Sequence, residues 1–62
     1  MEFWTTLDEL EFVDSLAMEG DRQVLRNYLA AAKVRRWDPA IDSKRVIEAA
    51  EEALRTLPEV NT

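Results

Sequence analysis

Acid–base chemistry with carboxylates needs two of them held in a shaped, partly dry cleft with their pKa values pushed apart. The acids of this chain do not promise that arrangement. Glu51 and Glu52 are adjacent on an expected helix and point in different directions, while Asp8, Glu9 and Glu11 are expected in an exposed first turn. Ser15 and Ser43 have no histidine to activate them, although Lys44 adjoins Ser43. The sequence holds no His and no Cys, which removes the usual neutral-pH proton shuttle, the thiolate nucleophile and the commonest metal ligands. Asp21 after Gly20 lacks the alternating acids and distant Glu of a calcium loop. No Gly-rich phosphate cradle is present, and a small domain has little room for a substrate cavity of ~300 Å³ or more. These residues therefore predict a chain that is not an enzyme and takes no cofactor or metal.

What remains is charge and aromatic surface. Residues 1–21 carry a net charge of −7, residues 22–45 carry +5 and residues 46–62 carry −3, within an overall −5. The basic block contains Lys33, Arg35, Arg36 and Trp37, followed by Lys44 and Arg45 beyond a turn. Bases around a helix junction with an aromatic among them suit a phosphate backbone. They equally suit carboxylates on a protein partner, which arginine binds bidentately. The third reading is structural: bases are favoured in the last turn of a helix, and the acidic N-terminal helix offers them partners.

Phe3 and Trp4 precede the first helix. They either staple back onto its first turn or, with Leu7, form an association surface. Trp37 reads as a core plug or an exposed anchor, and Met18 as a gap-filler. The acidic first helix presents a solvated face or an imitation of nucleic-acid phosphate.

These groups must be positioned by helices, because the apolar spacing is helical throughout. Thr6-Leu-Asp-Glu9 reads as a capping box that opens a helix over about 7–18, with Leu7, Leu10, Val13, Leu16 and Ala17 as its stripe. Gly20 closes it. Asp21 caps a second helix over about 22–37, with Val24, Leu25, Tyr28, Leu29, Ala31 and Ala32 on one face, and Asp38-Pro39 stops it. The connection 38–43 either forms a turn before a cap at Asp42 or Ser43, or starts a helix with Pro39 at its first position. A third helix over about 43–56 buries Val46, Ile47, Ala50, Ala53, Leu54 and Leu57. Alanines 30–32, 49, 50 and 53 make helices two and three the expected close pair.

The expected architecture is all-α: one domain over 1–62, a small antiparallel bundle of three short helices. Residues 1–5 form an N-terminal arm and 58–62 a frayed tail. So short a chain, without disulfides, is near the lower limit for folding alone, so a homodimer is the expected source of further buried area. No apolar run approaches the ~20 residues that span a bilayer, and the start lacks a signal-peptide pattern. A cytoplasmic location is expected.

The Met1-Glu2-Phe3-Trp4 start, single short domain, absent Cys and His and blockwise charge resemble small helical accessory proteins from the early regions of temperate lambdoid bacteriophages. The resemblance covers the chain as a general type and transfers no site to any numbered residue. It implies a non-enzymatic, protein-binding modulator of host or phage development. The residue-level alternative is a small helix–turn–helix-like nucleic-acid binder using the basic cluster.

Overall fold

Three helices account for most of residues 3–57, the part of the chain that the computed structural model describes: α1 (Thr6–Glu19), α2 (Arg22–Val34) and α3 (Ser43–Thr56). No strand occurs among the described residues. The expected frayed tail, 58–62, lies outside them, as do residues 1 and 2 of the expected arm.

Two overlapping capping-box patterns occur in the sequence at the start of α1, and only the first in chain order forms. Thr5, not Thr6, is the N-cap: its hydroxyl accepts the Asp8 amide, and the Asp8 carboxylate accepts the Thr5 amide at 2.8 Å. Thr6 is thereby free to act elsewhere, and its hydroxyl accepts the Asp42 amide at 3.0 Å, tying the start of α1 to the entry of α3. Gly20 closes α1 at φ 74°, a left-handed conformation in which a Cβ is strained. Asp21 caps α2 through the amides of Gln23 and Val24, as its position suggested.

α2 ends at Val34, three residues before the expected Trp37. The helix is terminated by a side chain rather than by the proline. Trp37 turns back and donates its indole N–H to the Ala32 carbonyl at 2.8 Å, satisfying one of the acceptors a helix end leaves open. Asp38 then forms a turn, accepting the Ala40 amide on its side chain and the Ile41 amide on its carbonyl. That turn delivers Ile41 to the core and leaves Asp42 as the cap of α3, which decides between the two readings of the connection.

Val13, Leu29, Ile41, Val46 and Ala50 form the buried cluster, with Leu10, Tyr28, Trp37, Ile47 and Leu54 packed against it. Leu16, Leu25 and Ala32 are buried as well. Contrary to the expected dominance of the α2–α3 pair, α3 packs on α1 at least as extensively as on α2, and α1 meets α2 least. Of the alanines expected at the α2–α3 contact, Ala32 and Ala50 are buried, Ala49 and Ala53 are half-buried, and Ala30 and Ala31 are exposed. At the far end, Arg22 of α2 donates to the carbonyls of Leu54 and Leu57, both at 3.0 Å, closing the C-terminus of α3.

Candidate interaction surfaces

The basic cluster does not form one open patch. Lys33 pairs with Glu51 on α3 at 3.4 Å. Arg35 lies 3.7 Å from the Glu9 carboxylate and stacks over the Trp37 ring at 3.9 Å. Trp37 is half-buried and hydrogen-bonded to the end of α2, so it serves both as a plug and as a cap. Arg36, Lys44 and Arg45 are exposed, and no carboxylate among the described residues pairs with them. Among the described residues, the expected pairing between bases and the acidic first helix is thus made by Arg35 alone.

It is made to a residue whose role the sequence reading missed. Glu9 is not in an exposed turn; it is only 4% exposed. Its Oε1 accepts the Trp4 indole N–H at 2.7 Å, its Oε2 accepts the Tyr28 hydroxyl, and Arg35 supplies the positive charge. A buried carboxylate is tolerated only with such partners. Burial, then the Glu9 hydrogen bond and the Glu9 charge, push the Tyr28 phenol well above its usual range, against a smaller opposing effect from Arg35. The signal was present: Glu9, Val13 and Leu16 follow the i, i+4, i+7 spacing of the buried face, so Glu9 belongs to the core stripe. All its contacts are donors, and no cluster of acids or other metal ligands occurs among the described residues. This is a clasp joining the N-terminal arm, α1, α2 and the segment after α2.

The clasp also settles the posture of Phe3 and Trp4. With Thr5 as cap, Trp4 and Glu9 occupy the positions where an apolar staple would sit, and they meet through a hydrogen bond instead. Phe3, Trp4 and Leu7 remain 76%, 57% and 64% exposed. Leu7 therefore leaves the expected core stripe and stays on the surface. Met18 is 81% exposed and fills no gap, while Val24, expected on the inner face, is also exposed. Phe12 stacks at a tilt on Tyr28, with ring centroids 5.7 Å apart.

A separate open groove of about 390 Å³ runs between α2 and α3, lined by Arg22, Leu29, Lys33, Glu51, Leu54 and Arg55. The chain matches no family model, no curated protein and no solved structure. Function must therefore be argued from these surfaces. No helix among the described residues is long and apolar enough to cross a membrane.

Proposed function

We propose that this chain is a non-enzymatic protein-binding module that associates with itself and contacts protein through the Phe3, Trp4 and Leu7 end of α1. The observation that carries the reading is the exposure of these three large apolar side chains at one helix start, with Trp4 held in place by Glu9. A tryptophan fixed before binding loses little conformational freedom on contact, and such residues commonly dominate interface energetics. The small size of the core favours pairing for the same reason as before. An antiparallel α2–α3 arrangement belongs to the proposal, supported by Arg22 at the start of α2 reaching the last carbonyls of α3. A modulator of the phage accessory type, acting in the cytoplasm, is proposed from chain size, charge layout and the lack of Cys.

The nucleic-acid alternative loses Arg35 and Trp37 to the clasp, has Lys33 partly neutralised by Glu51, and retains Arg36, Lys44 and Arg45 in a chain of net −5. A dilution series followed by amide and indole NMR tests the choice. The Phe3, Leu7 and Trp4 indole resonances are expected to shift with concentration, and Arg36, Lys44 and Arg45 to respond little to added duplex DNA at physiological salt. Concentration-independent spectra, with shifts on DNA that vanish steeply as salt rises, would reverse the assignment.

A further inference from the structure

Resting on the protein-binding reading, we propose that the α2–α3 groove receives the outer face of α1 from a second copy of this chain. The groove has an apolar floor, Leu29 and Leu54, and its rim carries Arg22, Lys33 and Arg55 against Glu51, with Glu52 paired to Arg55 beside it. It is locally basic in an acidic protein. Lys33 pairs with Glu51, Arg55 with Glu52, and Arg22 is held by two carbonyls of α3, which leaves the rim an excess of base of one charge.

The occupant is identified by complementarity of charge and spacing. α1 carries Asp8, Glu9, Glu11, Asp14 and Glu19 and no base. Leu7, Glu11, Asp14 and Met18 follow i, i+4, i+7, i+11 spacing, so they share the face of α1 opposite Val13 and Leu16. All four are exposed. With Leu7 seated on Leu29, Glu11 lies four residues along α1 and Lys33 four residues along α2, each about 6 Å away. If α1 enters in the opposite sense, Asp14 falls seven residues along α1, opposite Arg22, which is seven residues from Leu29. Either sense places a carboxylate beside a base and an apolar side chain over the floor. α1 cannot use its own groove with this face, because its other face is committed to the core of the same chain. Each copy offers one stripe and one groove, so a reciprocal exchange closes a two-fold pair.

The test uses the whole chain with two double variants, Glu11→Arg/Asp14→Arg on the stripe and Lys33→Glu/Arg55→Glu on the groove, with folding checked by circular dichroism. Sedimentation velocity should show the unaltered chain pairing. Each variant alone should associate at least about tenfold more weakly, through like-charge juxtaposition, and an equimolar mixture should recover association. Met18→Asp, at an exposed site, provides a change independent of the charge pairs and should also weaken pairing. If these variants self-associate like the unaltered chain while Phe3→Ser/Leu7→Ser abolishes pairing, groove docking is overturned and the protein-binding reading stands. If the unaltered chain is monomeric throughout, groove docking and self-association both fall.

Discussion

Arg35 and Arg36 are neighbours of the same type, and the structure assigns them opposite consequences. Arg35→Ala removes the cation paired with the buried Glu9 carboxylate and the partner stacked on Trp37. Deleting one member of a fully buried pair costs ~3–5 kcal/mol, and an exposed pair contributes ~0–1 kcal/mol. Here Glu9 is buried while the Arg35 side chain is 43% exposed, and Glu9 keeps its bonds from Trp4 and Tyr28. An intermediate loss follows, and the lost cation–π contact adds ~0.5–1 kcal/mol, for a total of about 1.5–3 kcal/mol. In a domain of this size, each kcal/mol moves Tm by ~4–8 °C, so a drop of roughly 6–24 °C is expected. Arg36→Ala, at an exposed site with no pairing carboxylate among the described residues, should stay within ~0.5 kcal/mol. Arg35→Lys keeps the charge but loses the planar stack, and should fall between them. Urea and thermal unfolding followed by far-ultraviolet circular dichroism give all three values. Equal, negligible losses for Arg35→Ala and Arg36→Ala would refute the clasp.

Tyr28 is the sole tyrosine, so its titration can be read directly from phenolate absorbance. Its folded pKa is raised above the usual 10.0; its contribution is fully present below that pH and is lost as pH climbs toward the folded value. Stability should therefore decline above about pH 10, with phenolate appearing only together with unfolding, and Tyr28→Phe should flatten that part of the profile. A phenolate titrating near its ordinary value in the folded chain would contradict the buried Glu9 contact. Arg22→Met keeps the aliphatic stem but removes both donors to α3, and should cost about 1–3 kcal/mol while raising amide exchange near Leu57. Exchange unchanged there would mean that the C-terminus of α3 does not depend on α2. Gly20→Ala should cost about 1 kcal/mol from backbone strain at φ 74°, since the space around the added Cβ is open. No measurable loss would show the turn relaxing to another conformation.

Helix existence and most boundaries were legible because period, caps and Gly20 all agree; α3 begins and ends where its apolar stripe and Asp42 place it. α2 ends earlier than its apolar period and the proline suggest because a side chain just beyond it, the Trp37 indole, bonds back to the Ala32 carbonyl before the proline is reached. Exposure at Leu7, Met18 and Val24 was not legible from periodicity alone, since three helices this short cannot cover every apolar side chain they carry. Glu9 was misplaced by a competing local rule: the capping box at Thr6 appeared to use its carboxylate, whereas the box at Thr5 released it to the core. The basic cluster could be found by type, but which of its members remain available depended on tertiary partners.

Weight-average mass of the unaltered chain across concentration, by sedimentation equilibrium, probes the association claim most directly. The expected curve leaves the 7.2 kDa of one chain at micromolar concentration and climbs toward double that value, with the folded helical content preserved at both ends. A flat 7.2 kDa up to millimolar concentration, at low and physiological salt alike, would contradict it.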